Sequence, residues 1–282
     1  MSADTDLTGP LGGPAPTSSR APVGGARPVT PVGIVADLLG SVARQVADVP
    51  GVPLEARADL ARARAIAAGL EGYVEQQTSP PSAALAALEE RTRAEPWEGN
   101  LEAEMLSGHV EGAFLQMLVR VSRSRQVLEV GMFTGYAALA MAEALPEGGR
   151  VVACELDPGV AALARDCFAA SPVGDRVQVE VGPASETLAR LAEQGETFDL
   201  VFLDADKPGY AGYLDLLLDR GLLHPEGLLC VDNTLLQGEP WSEASSPNGR
   251  AVTAFNEQLR DDPRVEQVVV PLRDGVTLAR RV

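Results

Sequence analysis

Two clusters of oxygen-bearing side chains, Asp204-Ala205-Asp206-Lys207 and Asp232-Asn233, lie 28 residues apart. Each directly follows a short apolar run, Leu200-Val201-Phe202-Leu203 in the first case and Leu228-Leu229-Cys230-Val231 in the second. Runs of that length and composition read as buried parallel strands. Polar residues just past the carboxyl ends of such strands face the ligand crevice of an open α/β sheet. If the two strands are neighbours, Asp204, Asp232 and Asn233 converge and offer only oxygen ligands. That donor set suits a hard divalent cation, Mg²⁺ or Ca²⁺, better than a thiophilic metal. The competing reading makes each Asp a helix cap. Capping accounts for one Asp per loop but not for two such pairs.

A second turn with chemical potential is Glu129-Val130-Gly131-Met132-Phe133-Thr134-Gly135. Glycines between a strand and a helix let a ligand approach the backbone and leave helix N-terminal amides facing it. The spacing departs from GxGxxG, and no Lys-Ser or Lys-Thr follows Gly135, so neither a dinucleotide fingerprint nor a triphosphate loop is present. Glu155 ends the next apolar run, Val152-Ala153-Cys154-Glu155. An acid there can bind both hydroxyls of an adenosine ribose. Glu129 would repel a pyrophosphate and suits an ammonium or sulfonium instead. S-adenosylmethionine has the ribose and the cationic amino-acid end, and it lacks a phosphate.

Both sites need a sheet to position them. Strand-like stretches at Gln126–Val130, Arg150–Glu155, Val177–Val181, 199–203 and 227–231 alternate with helix-like stretches at Tyr136–Ala144, 159–170, 185–194 and 210–217. Such alternation predicts a mostly parallel sheet with helices on both faces. Apolar stretches 265–272 and 276–282 flank Arg273-Asp274-Gly275, the signature of a closing antiparallel hairpin. Ahead of this domain, residues 1–30 show no hydrophobic period and read as a disordered tail. Residues 31–100 read as an alanine-rich helical block, which packs on the following domain or on a second subunit, and 101–282 form the α/β domain. The net charge of −17 excludes nucleic acid or an anionic membrane as the main partner. Cys154, Cys167 and Cys230 sit in apolar stretches and read as core residues of a reducing compartment. With two histidines, His109 and His224, a His-rich metal site is excluded. His224, before Pro225, reads as an incidental loop residue. A cytoplasmic protein acting on a small molecule is the expectation.

Leu128 to Tyr136, Asp204 to Lys207 and Asp232-Asn233-Thr234-Leu235 together resemble the cation-dependent O-methyltransferases of the caffeoyl-CoA type, over roughly residues 101–282. Within that family, Glu104 to His109, Asp232 to Gly238, Pro263 to Val268 and Thr78-Ser79-Pro80 look like the branch that makes 4-deoxygadusol for mycosporines. The resemblance implies a class I methyltransferase fold, Rossmann-like, with a mostly parallel seven-stranded sheet, a C-terminal antiparallel hairpin and added N-terminal helices. It makes Glu129, Gly131 and Glu155 contacts of S-adenosylmethionine, with Met105 and Ser107 bordering the pocket from a preceding helix. Ala184 would flank the adenine and Asp206 would reach the methionine end. Asp204, Asp232 and Asn233 become ligands of a divalent cation, Mg²⁺ first, with Ca²⁺ or Mn²⁺ as alternatives. Lys207 falls where related enzymes keep a general base, a role open only to its neutral form, so it either takes the acceptor's proton or holds its anion. His109, Gln237 and Trp241 are candidates for the acceptor side, and Tyr210 either lines that side or packs. A homodimer is expected.

The family pattern is not followed throughout. Glu155 replaces an Asp, Ala137 a Ser, and Gln237 a substrate-facing Asn of the plant enzymes, and no Lys/Arg cluster suits a CoA phosphate. The leading expectation is metal-dependent methylation of demethyl-4-deoxygadusol. Methylation of a catechol or other phenol, and a non-catalytic S-adenosylmethionine-binding module, are the alternatives.

Overall fold

The computed structural model of the protein describes residues 28–242 and 246–282. Up to residue 27, the expected N-terminal tail lies outside the described residues.

The sheet is built from β1 (Gln126–Val130), β2 (Arg150–Glu155), β3 (Val177–Val181), β4 (Phe198–Leu203), β5 (Leu223–Val231), β6 (Val265–Val270) and β7 (Val276–Arg281). Its order is β3-β2-β1-β4-β5-β7-β6. The first five strands run parallel, and β7 alone is inserted antiparallel between β5 and β6. This is the expected mostly parallel, seven-stranded sheet with a closing hairpin. Strand order reverses between β1 and β4, and that switch point opens the ligand crevice at the carboxyl ends. Paired residues Val130, Leu203 and Val231 end β1, β4 and β5 side by side. Asp204 and Asp232 therefore leave adjacent strands at one level.

Helices α1 (Pro31–Val46), α2 (Leu54–Gln77) and α3 (Ala83–Ala94) precede the sheet. Helices α4 (Gly108–Ser122), α5 (Tyr136–Ala144) and α6 (Pro158–Ala169) pack with α3 around one apolar layer. The other layer lies under α7 (Ala184–Glu193), α8 (Tyr210–Asp219) and α9 (Pro247–Asp261). Along β1, Val127 packs into the first layer and Leu128 and Val130 into the second. Glu129 shares the Val127 face by the two-residue strand period, which buries a carboxylate at a core position. Cys154 and Cys230 are buried as well, and Cys167 is half-buried.

Local chemistry sets the helix starts. Asp157 accepts from the Gly159 and Val160 amides ahead of α6, and Ser82 accepts from the Leu85 amide ahead of α3. Helix α3 belongs to the core: Leu85 and Leu88 are buried, and Thr92 Oγ1 donates to Thr134 Oγ1 at 2.9 Å. Helices α1 and α2 instead pair with each other, and α1 also touches the Leu236–Trp241 turn beyond β5.

Three sequence expectations need correction. His224 lies inside β5, not in a loop. The strand tolerates the adjacent Pro225 because its register against β4 shifts between Phe198 and Leu200. Helix α9 had no counterpart in the reading, since its signal is confined to the Ser246 cap, Pro247 at the first position and one apolar face. Met105 ends a short 3-10 turn, Ala103–Met105, and Ser107 stands just before α4, so neither lies in a preceding helix. No described helix is long and apolar enough to cross a membrane.

Candidate active site

Past the ends of β4 and β5, the Lys207 ammonium sits between the two acidic loops. Its Nζ donates to Asp204 Oδ1 at 2.9 Å, to Asn233 Oδ1 at 2.6 Å and to the Tyr210 hydroxyl at 2.7 Å. Tyr210 in turn donates to the Asp232 carbonyl at 3.1 Å. A 3-10 turn at Lys207–Gly209 directs the lysine inward, and Asn233 adopts a left-handed φ of 57° that turns its amide to the same point. Burial alone would push the lysine pKa down. Asp204, Tyr210 and Asp232 outweigh it and hold the value above the ordinary one, so Lys207 is charged. Asp232 is 5 % exposed, and its Oδ1 is buried without a partner. Burial, reinforced by the facing Asp204, pushes its carboxyl up to about 6. Among the described residues no three acidic, histidine or cysteine side chains are placed to hold a metal ion together; the set here is two carboxylates and one amide.

The glycine turn lies directly against this cluster. Gly131 has φ 93°, and a Cβ there would fall 2.0 Å from the Asp204 carbonyl oxygen. Only glycine lets the β1 and β4 loops approach so closely. Glu129 is fully buried with Oε2 unpartnered, and burial, with Asp204 and Glu155 beside it, lifts its pKa well above the usual carboxylate range. Glu155 Oε2 accepts from the Phe133 amide at 2.7 Å and Oε1 from the Asp157 amide at 2.8 Å. These bonds aim the carboxylate across the end of β2 while burial raises its pKa. Asp206 Oδ1 accepts from the Tyr213 hydroxyl at 2.6 Å. Ala184 opens α7, close to the end of β3.

The remaining candidates divide. Gln237 has a left-handed φ of 57°, and its backbone N–H donates to Asp274 Oδ1 at 2.5 Å. Trp241 is 63 % exposed. His109 Nε2 lies 2.5 Å from the Ser79 carbonyl, which ties the start of α4 to the segment between α2 and α3. Of its two readings, the structural bond is the one formed.

Sequence reasoning passed over three residues here. Glu111 on α4 is 1 % exposed; its Oε2 accepts from Arg273 Nη1 at 2.7 Å, and its Oε1 has no partner. Burial, then Asp232, raise its pKa well above the usual range despite Arg273. Asp274 is buried at the hairpin tip, and burial pushes it up to about 7. No local pattern marks Glu111 and Arg273, which are 162 residues apart. Glu111, Asp204 and Asp232 thus gather around the Arg273 guanidinium, Lys207 stands beside Asp204 and Asp232, and Glu129 adjoins Asp204.

The chain as a whole is similar to known proteins. The O-methyltransferase family profile covers residues 75–282. A caffeoyl-CoA O-methyltransferase of Petroselinum crispum is 35 % identical over 209 residues, covering 71 % of this chain and 84 % of the relative. A methyltransferase of Podospora anserina, solved with SAH bound, superposes with a TM-score of 0.69 at 32 % identity, over 77 % of this chain and 95 % of that one. An O-methyltransferase of Bacillus cereus, also in complex with SAH, gives 0.67 at 27 % identity, over 76 % and 97 %. The expected enzyme is found and the alternative of a non-catalytic module gives way: the chain belongs to the O-methyltransferase family, as an S-adenosylmethionine-dependent O-methyltransferase of the caffeoyl-CoA type.

Proposed function

We propose that this O-methyltransferase depends on a divalent cation and methylates one of two adjacent oxygens on a small ring, with demethyl-4-deoxygadusol as its acceptor. The observation that carries the reading is the Lys207 ammonium among Asp204, Asn233 and the Asp232 loop. These side chains already accept a cation, and the unpartnered Asp232 Oδ1 offers a further oxygen. Oxygen-only donors fit Mg²⁺, Ca²⁺ or Mn²⁺. Asp204, Asp232 and Asn233 would hold the ion, whose Lewis acidity favours an acceptor oxyanion.

S-adenosylmethionine supplies the methyl group from its sulfonium. Glu155 would take the ribose hydroxyls. Buried Glu129, with its free oxygen, and Asp206, fixed by Tyr213, would meet the amino-acid end. Met105, Ser107 and Ala184 would border the pocket. Lys207, held protonated, acts by charge: it draws and orients an acceptor oxygen that is already acidic, as in an enolised diketone, and does not need to take its proton. Gln237 and Trp241 lie on the loop beyond Asn233 and would border the acceptor, and His109 would support α4 beside it. Exposed Val35, Leu38 and Val42 on α1 and Ile66, Leu70 and Tyr73 on α2 form apolar stripes that support a homodimer, checked by light scattering.

The test is methyl transfer after dialysis against EDTA, with SAH binding measured in parallel. Turnover should vanish and return with Mg²⁺ while SAH affinity holds, and Asp232→Ala should mimic chelation. Full turnover in chelated, metal-free protein would remove the cation from the mechanism. Caffeoyl-CoA exceeding demethyl-4-deoxygadusol in kcat/KM would overturn the acceptor assignment and leave the cation standing.

A further inference from the structure

We propose that Arg273 selects the methyl acceptor, its guanidinium receiving an anionic group carried on the same ring as the methylated oxygen. The inference rests on the reading above, that the acceptor approaches Asp204 and Asp232.

Arg273 occupies the turn between β6 and β7 with φ 49°, a left-handed conformation for which glycine is the usual choice. A long cationic side chain at such a position needs a reason, and strained backbone concentrates at functional sites. The guanidinium is fixed from α4 and from the turn before it: Nη1 donates to Glu111 Oε2 at 2.7 Å, and Nη2 donates to the Leu106 carbonyl at 3.2 Å. Arginine carries five N–H donors. The other three have no partner among the described residues.

Burial in the pair is lopsided, 1 % exposure for the Glu111 side chain against 28 % for Arg273. Burying a carboxylate beside a single partner is costly, and a packed apolar pair would serve structure as well or better. The buried acid therefore acts as a mount, and the open face belongs to the cation. The guanidinium lies by the start of α4, a Cβ at Gly108 falling 3.9 Å from Nη1, and it is within electrostatic reach of Asp232 and Asp204. The turn itself cannot drift. Asp274 Oδ1 accepts from the Gln237 amide, the Leu235 amide donates to the Asp274 carbonyl, and the Thr234 amide donates to the Gly275 carbonyl. Arg273 is thereby locked in place relative to Asp232 and Asn233. In a chain of net charge −17, an anionic acceptor needs such a fixed cation to be held against general repulsion.

A matched pair of acceptors tests this: catechol, and 3,4-dihydroxybenzoate, which adds only a carboxylate. The wild type should favour the acid. Arg273→Ala should raise KM for the acid about tenfold to a hundredfold, the range for one charge-assisted hydrogen bond. Its kcat, its SAH affinity and its KM for catechol should hold, and Arg273→Lys should recover part of the loss. A parallel rise for both acceptors, or a fall in kcat with both, would make Arg273 a strut and overturn the proposal. Should Arg273→Ala fail to fold, competition on the wild type decides: benzoate should inhibit more strongly than benzyl alcohol, and equal inhibition refutes the idea. If neither acceptor is methylated, the functional reading fails. Calorimetric binding of the two acceptors to the SAH-bound enzyme then still reads Arg273 by itself.

Discussion

Replacing Asp274 with Asn should stabilise the protein at pH 8 by more than it does at pH 5. In the unfolded chain this carboxyl releases its proton near 3.8, whereas in the folded protein burial holds it until about 7. Between those values the folded state carries the additional proton. Raising the pH from about 4 to about 7 therefore removes stability, and above that window the loss is complete. The interval from 3.8 to about 7 sets a ceiling of about 4 kcal/mol on the cost at high pH. Water reaching the hairpin tip would reduce this, and an effective interior dielectric nearer 20 than 4 makes about 1–2 kcal/mol the expected gain. Asn retains Oδ1 as acceptor for the Gln237 amide, so the bond that fixes the loop survives. Urea unfolding of both proteins at pH 5 and pH 8 isolates the effect, because other titrating groups cancel in the difference. EDTA should be present, since a divalent cation nearby would itself favour the charged form. A stability difference that does not change with pH would refute the assignment of Asp274 as a carboxyl kept protonated by burial.

Glu155→Ala should weaken SAH binding by about 1.5–3 kcal/mol in calorimetric titration, with Glu155→Asp milder; unchanged affinity would take Glu155 out of the cofactor site. A chain beginning near residue 28 should keep full activity. One beginning near residue 95 loses buried Leu85 and Leu88 together with the Thr92–Thr134 bond, and should aggregate or lose activity in expression and turnover assays.

The fold was legible wherever one local signal sufficed. Buried parallel strands carry apolar runs, so β1, β2 and β4 stand out, and Gly275 between two strand-like stretches announces the hairpin. Helix α9 escaped because its start, Ser246-Pro247-Asn248-Gly249, resembles a loop until the cap and the proline at its first position are recognised together. His224 was misplaced for a related reason: proline usually ends a strand, but a register shift lets β5 absorb one.

In the candidate site the boundary falls elsewhere. Asp204 and Asp232 could be brought together on paper because their spacing fits two neighbouring strands, and the β4–β5 pairing supplies that neighbourhood. Glu111 and Arg273 lie on elements that meet only after the hairpin has folded back over α4, and neither carries a motif. Tyr210 looked equally suited to packing, and it does pack, against Phe255, while its hydroxyl holds Lys207 and the Asp232 carbonyl. Local sequence thus exposes candidate ligand-binding residues that share a turn chemistry. Residues that act through long-range charge pairing show only once burial is known, because burial turns an ordinary surface-type glutamate or arginine into one that needs a partner.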